Sequence, residues 1–128
     1  MWQHAGVEKN ADGMQRALEM LDAMRADSVP RMGLKSVSRT CNHGWFDAMD
    51  VLNMLDACTL ILRSGLNRRE SRGPFIRTDY PEMDNERWLV GNVLVPHADG
   101  TVSFKTLPYD LAYWRPGFAR KDNLEVEW

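Results

Sequence analysis

Residues 45–69 read WFDAMDVLNMLDACTLILRSGLNRR, and this stretch decides the fold class. Trp45, Met49, Leu52, Leu55, Leu62 and Leu66 fall close to one face of a 3.6-residue period. Val51, Met54, Cys58 and Ile61 widen that face. The spacing predicts a helix from Trp45 to Arg69. A face this broad is expected to be buried between more than one neighbour. Gly65 sits inside the pattern, where glycine costs about 1 kcal/mol against alanine, so close packing is expected at that position.

Upstream, Met14, Leu18, Leu21 and Met24 recur at helical spacing and predict a shorter helix from Asn10 to Ala26, capped by Asn10 or Asp12. Arg16, Glu19, Asp22 and Arg25 fall mostly off that stripe and leave a wet face. Between the helices, Ser28 to Gly44 loses all period and contains Pro30, Gly33 and Asn42-His43-Gly44, which makes it a connection. Two long helices alone make a poor core and need a third partner. Met1 to Val7 reads as the last turn of a helix that begins upstream. Downstream, Asp79-Tyr80-Pro81-Glu82 reads as a turn. Trp88–Val95 and Thr101–Leu107 alternate as a modest hairpin signal around Pro96–Gly100. The tail from Tyr109 to Trp128 is aromatic and charged without period and is expected to lie across another surface.

Composition bounds the function. A chain of 128 residues suits one domain, and 44% apolar with 27% charged residues is ordinary for a soluble globular one. A net charge of −2 calls for neither nucleic acid nor an anionic membrane. No apolar run approaches the roughly 18 residues that span a bilayer, and the N-terminus does not read as a signal peptide. Cys41 and Cys58 form no CxxC pair, and two free thiols fit a reducing compartment.

Candidate chemistry is thin. The nearest two glycines, Gly6 and Gly13, are seven apart, which excludes both the dinucleotide GxGxxG loop and the P-loop. Cys41 and His43 offer two metal ligands where a site needs three or four. His4, His43 and His97 are scattered and define no triad. The acidic cluster of Asp79, Glu82, Asp84 and Glu86 lacks the glycine and glutamate of a calcium loop and reads as a solvated turn offering partners to nearby arginines. Arg63, Arg68, Arg69, Arg72 and Arg77 form the densest positive stretch. With Glu70 and Asp79 interleaved, they suit carboxylates and carbonyls at an interface better than nucleic acid. Arg68 to Arg72 are also placed to complement the negative end of the long helix.

The block Arg69-Glu70-Ser71-Arg72-Gly73, then Arg77-Thr78-Asp79-Tyr80-Pro81, Asp84 and Trp88-Leu89, resembles the C-terminal region of the succinate dehydrogenase/fumarate reductase flavoproteins and of L-aspartate oxidase. There a helix ending in E-S-R-G is followed by R-x-D-[YF]-P-x-x-D and a tryptophan. Met1 to Val7 and Leu52-Asn53-Met54-Leu55 extend the resemblance, which covers about Met1 to Leu107. Pro74-Phe75 stand where the family usually has Ala-His, and Val90-Gly91 where it often has Lys-His, so no role tied to those histidines carries over. The adenylylsulfate reductase flavoproteins are more distant relatives.

The resemblance implies a mainly α fold: a three-helix, spectrin-repeat-like bundle over residues 1–78, then a C-terminal extension over 79–128 holding the hairpin. It implies FAD in a parent flavoprotein and none bound by this chain alone, which is expected to be inactive by itself. Implied partners are the FAD-binding domain of the same flavoprotein and an iron–sulfur subunit, in the cytoplasm or membrane-associated through partner subunits. Glu70, Ser71, Arg72, Gly73, Arg77, Asp79 and Tyr80 carry over as a domain-docking motif, with Glu70, Arg72 and Asp79 as ionic members and Gly73 as the close-approach position. The plainer reading of these residues is a locally stabilised turn. Rival functions are a free-standing helical interaction module, the equivalent domain of an adenylylsulfate reductase or L-aspartate oxidase, and, least favoured, a small independent enzyme.

Overall fold

Asn10 starts the first long helix. Its backbone is extended and its side chain accepts from the Gly13 amide at 2.8 Å, satisfying one donor that the first helical turn leaves open. The computed structural model describes residues 1–98 and 101–109. In it, a single helical turn α1 (Trp2–Ala5) leads through β1 (Glu8–Lys9) into α2 (Ala11–Ala23). Regular α geometry ends three residues short of Ala26 and passes into a π-helical turn, Met24–Ser28, then a 3-10 turn, Val29–Arg31. Pro30 explains the change: its ring nitrogen cannot donate to the Ala26 carbonyl and its bulk crowds that oxygen.

The second long helix, α3 (His43–Asn67), begins two residues before the expected Trp45 because Asn42 caps it, accepting from the Trp45 amide at 3.3 Å. It ends when Arg68 turns extended. The two helices pack on Met14, Ala17 and Leu21 of α2 and Leu55 and Leu62 of α3, with Leu18, Val51, Cys58 and Leu66 half-buried around them. Gly65 allows this approach, since a β-carbon there would lie 2.9 Å from the Met14 sulfur. Met24, expected in the stripe of α2, is exposed, and Ala17 is buried instead. The turn that begins at Met24 has left α geometry, so Met24 no longer continues the stripe.

Among the described residues the core is small, and α3 gains one long neighbour rather than several. Met54 is 58% exposed and Ile61 61%, and these two lie seven residues apart on one face. The third helical contribution to the bundle is α1, which packs on α2 and lays Ala5 against the core.

After α3 the chain makes β2 (Ile76–Arg77), which pairs in parallel with β1, Glu8 opposite Ile76 and Lys9 opposite Arg77. A short helix α4 (Asn85–Trp88) follows, capped by Asp84. Trp88, expected to open a strand, therefore closes a helix. The hairpin pairs β3 (Val90–Pro96) with β4 (Val102–Pro108), antiparallel, with Val90 opposite Pro108 and Pro96 opposite Val102. The molecule is mainly helical with a small C-terminal hairpin. The expected tail beyond Tyr109, and the turn residues Asp99 and Gly100, lie outside the described residues.

Candidate functional site

The segment from Arg68 to Val90 folds into two ionic knots that sit beside the end of α3. The first is centred on Glu70, which is fully buried. A buried carboxylate needs its lone pairs satisfied by cations and amides. Arg72 meets it as a fork, Nε to Oε1 and Nη2 to Oε2, both at 2.8 Å. Arg68 donates from Nη1 to Oε1, and the Asp84 amide donates to Oε2 at 3.0 Å. Burial pushes the Glu70 carboxyl up, but the hydrogen bonds from Arg72, Asp84 and Arg68, with the charge of Arg72, outweigh it and hold the carboxyl below the ordinary range. Arg68 goes on to the carbonyls of Trp88 at 3.0 Å and Val90 at 2.7 Å, which ties α4 and β3 to the helix end. Its guanidinium also lies over the Trp88 ring.

The second knot is centred on Arg77, 1% exposed. Nη1 donates to the carbonyls of Gly65 at 2.6 Å and Arg68 at 3.0 Å, closing the open C-terminal turn of α3. The remaining fork grips Asp79, Nε to Oδ1 at 2.6 Å and Nη2 to Oδ2 at 2.5 Å. Asp79 Oδ2 then accepts from the Ala11 amide at 3.0 Å, at the positive end of α2. One Arg–Asp pair thus joins the C-terminus of α3 to the N-terminus of α2. The Arg77 hydrogen bond holds the Asp79 carboxyl down to about 2 against the opposing effect of burial, with help from the Ala11 amide. The role expected of Arg68 to Arg72, complementing the helix end, falls to Arg77 instead, because Arg68 and Arg72 are committed to Glu70.

Ser71 stitches the knots together. Its hydroxyl accepts from the Arg77 amide at 2.8 Å and donates to the Tyr80 carbonyl at 2.8 Å. Within this chain a β-carbon at Gly73, the expected close-approach position of the docking block, would meet nothing within 4 Å. Its φ of +54° is the reason for glycine: it turns the chain between Arg72 and Phe75, which bridge to each other. Tyr80 is 38% exposed, with its ring against the Arg77 guanidinium, 5.0 Å from centroid. Glu70 and Arg77 spend their hydrogen bonds inside the chain, while Gly73 and Tyr80 face outward.

All seven residues singled out from the sequence come together here. Sequence reasoning missed their backbone framework: the amides of Ala11 and Asp84 and the carbonyls of Gly65, Arg68, Trp88 and Val90. It also missed Lys9, whose ammonium lies over the Phe75 ring and whose pKa is lowered by burial and by Arg77. Backbone partners leave no residue-type signal. In the acidic cluster, Asp79 takes Arg77 and Asp84 caps α4. Cys41 is exposed with a left-handed φ of 52°, and His43 is the first residue of α3. Among the described residues no three His, Cys, Asp or Glu side chains gather as a metal set, and no helix is long and apolar enough to cross a membrane.

A family model described as fumarate reductase flavoprotein C-term matches residues 1–121. The chain is 32% identical over 113 residues to the fumarate reductase flavoprotein subunit of Mycobacterium tuberculosis, covering 88% of this chain and 19% of that protein. It is 30% identical over 100 residues to the succinate dehydrogenase flavoprotein subunit of Coxiella burnetii, covering 78% of this chain and 16% of that one. A relative in Methanocaldococcus jannaschii, 30% identical over 95 residues, is described as an FAD-dependent oxidoreductase. Among solved structures, a chain of the Mycobacterium smegmatis Sdh1 complex superposes with a TM-score of 0.70 at 31% identity, over 84% of this chain and 18% of that one. E. coli quinol fumarate reductase shares the fold, with a TM-score of 0.76 at 21% identity, over 84% of this chain and 19% of that one. The chain spans about a fifth of the length of the curated relatives it matches, by the 19% and 16% shares.

Proposed function

The chain belongs to the family of fumarate reductase flavoprotein C-terminal domains, and from that premise we propose that it serves as the C-terminal helical domain of an FAD-dependent oxidoreductase interconverting succinate and fumarate or a similar acid. In this reading FAD and the reacting groups belong to the rest of the flavoprotein, and this chain contributes the helical body, residues 1–78, and the extension, residues 79–128. The partners are the FAD-binding domain of the same protein and an iron–sulfur subunit, with membrane association, if the assembly has it, through other subunits and a cytoplasmic setting.

The observation that carries the reading is the uncovered apolar face of α3. Met54 and Ile61 are exposed next to a core of five buried apolar side chains, and Trp2 on α1 is 82% exposed. Water contact at large apolar side chains beside the core is what a surface covered by the rest of a larger protein looks like when that protein is absent. Glu70, Ser71, Arg72, Gly73, Arg77, Asp79 and Tyr80 form the docking block in this reading. The buried Glu70 and Arg77 fix its shape, and Gly73 and Tyr80 present its outer surface.

The test places a charge on the helix face in the full flavoprotein. Ile61→Glu is expected to lower flavin content and succinate-dependent dye reduction together, while Asp50→Glu, an exposed change on the same helix, leaves both unchanged. Full flavin content and activity in the Ile61→Glu protein would remove the docking reading. Absence of flavin and of succinate or fumarate turnover in the unmodified protein would remove the functional one.

A further inference from the structure

We propose that Leu124–Trp128 of this chain pair with the outer edge of β4 as a third, antiparallel strand. The hairpin register fixes which backbone groups of that edge are free. The His97 amide donates to the Thr101 carbonyl at 2.9 Å, so that pair is hydrogen-bonded, and with the register running from Pro96–Val102 to Val90–Pro108 every second pair is too. Ser103, Lys105 and Leu107 therefore turn their N–H and C=O toward β3. Val102, Phe104 and Thr106 turn theirs outward. The same parity turns the Val90 carbonyl outward on the other edge, where Arg68 donates to it. Among the described residues no hydrogen bond reaches the outward groups of Val102, Phe104 and Thr106. A two-stranded ribbon is marginal in water, and three outward N–H and C=O pairs in a row are a template for a further strand.

The side chains state which segment fits. Leu94 lines a cleft with Leu60, Ile61 and Phe75, and Phe104 stands opposite Leu94 in the ladder, so Val102, Phe104 and Thr106 share the face turned to α3. Phe104 is 41% exposed, and the residue that fits beside it is apolar. On the other face Lys105 is the one charged side chain of β3 and β4 and has no ion-pair partner among the described residues, so a carboxylate fits beside it. The sequence holds one run of five residues that alternates apolar and acidic, Leu124-Glu125-Val126-Glu127-Trp128. With Thr106 opposite Leu124, Phe104 opposite Val126 and Val102 opposite Trp128, that run meets all three outward backbone pairs. The same register extends the apolar face and sets Glu125 across from Lys105. Fourteen residues separate Tyr109 from Leu124, with the turn signal Pro116-Gly117 among them. Extended, they reach roughly 46 Å, against about 23 Å for the seven residues of β4. The tether keeps the run at the edge at an effective concentration on the order of millimolar, which favours it over a separate chain of the same pattern. The β4 strand of a second copy is disfavoured, because overlaps that engage Phe104 and Thr106 bring Lys105 opposite or diagonal to its counterpart. Covered by its own chain, β4 is closed to strand addition by other proteins.

Residue-resolved amide exchange in the full flavoprotein tests this with its own control. Ser103, Lys105 and Leu107 report the hairpin, and Val102, Phe104 and Thr106 report the added strand. All six are expected to exchange at least about a hundredfold slower than an unstructured chain. An outward trio exchanging at unstructured rates overturns the proposal, whether or not the inward trio is protected. Val126→Pro removes the donor opposite the Phe104 carbonyl and leaves the hairpin ladder intact. It is expected to bring the outward trio to within about tenfold of the unstructured rate while the inward trio stays protected, and Val126→Ile keeps all six protected. Outward protection that survives Val126→Pro assigns the edge to a separate chain or a second copy and overturns the proposal. Lys105→Glu is expected to speed exchange of the outward trio by about threefold or more, and Glu125→Lys added to the same chain to restore it. No recovery in the double variant also overturns it.

Discussion

Arg77 reaches back to the Gly65 carbonyl at 2.6 Å, so a side chain twelve residues downstream closes the end of the long helix. The same guanidinium holds Asp79, and Asp79 holds the first amide of α2. The two helices are thus joined at one point by a planar fork. Lysine, with a single compact charge, cannot serve the carbonyls and the carboxylate together. Arg77→Lys is expected to destabilise the protein by about 2–4 kcal/mol, the range for breaking a buried charge network. Urea unfolding followed by circular dichroism measures it, and a change within about 0.5 kcal/mol, typical of a surface site, would mean the fork does not hold the helices.

Glu70 is the carboxylate that neutralises Arg68 and Arg72 from a fully buried position. Removing it leaves two half-buried guanidiniums without their counter-charge. Glu70→Ala is expected to cost about 3–5 kcal/mol, and Glu70→Gln less, because the amide oxygen still accepts. The same denaturation series orders the three proteins, and a Glu70→Ala protein as stable as the parent contradicts the knot.

Gly65 and Gly73 are needed for different reasons, and substitutions separate them. At Gly65 a β-carbon meets the buried Met14 sulfur at 2.9 Å. Gly65→Ala gains about 1 kcal/mol of helix propensity and loses more to overpacking, so a small net loss is expected, and Gly65→Val loses about 2 kcal/mol further. At Gly73 space is open but φ is +54°. Gly73→Ala is expected to cost about 1 kcal/mol and Gly73→Asn less, since asparagine tolerates the left-handed region. Melting temperatures across the four variants check this pattern, which reverses if Gly73 were a packing position.

The Arg77–Asp79 pair makes stability depend on pH in a defined direction. The folded carboxyl sits at about 2, below the ordinary value for aspartate, so folding favours the ionised form. That contribution is fully present above about pH 4 and is lost as pH falls through about 2. After allowance for partial solvent screening it amounts to roughly 1–2 kcal/mol. Glu70 is shifted in the same direction and adds to the fall. Asp79→Asn is expected to be less stable at neutral pH and to lose less on acidification. Unfolding midpoints between pH 7 and pH 2 check this, and parallel curves for parent and variant would contradict it.

Much of this was legible from residue order. The long helix announced itself through six apolar positions at helical spacing, and the hairpin through alternation at Val93–Val95 and Val102–Phe104. The β1–β2 ladder was not legible, because two-residue strands have no period to read. Arg77 was marked by its motif and read with its neighbours as a fork for carboxylates and carbonyls at an interface, but nothing in a sequence shows that the carbonyls would be those of Gly65 and Arg68 in its own chain. Gly73 was placed in the block as its close-approach position, and the φ of +54° that calls for glycine within this chain was not legible, because a positive φ leaves no mark in residue order beyond the glycine itself. The breadth of the apolar face on α3 was plain from the start. What covers it is not among the described residues, and that mismatch is the physical basis for reading the chain as one domain of a larger flavoprotein.

The most direct test of that reading is the intact mass and visible spectrum of the polypeptide that carries this sequence in its source cell. The account predicts a yellow, flavin-bearing polypeptide roughly five times the mass of this chain, from its 19% share of the relative's length. A colourless polypeptide of 14.7 kDa would contradict it.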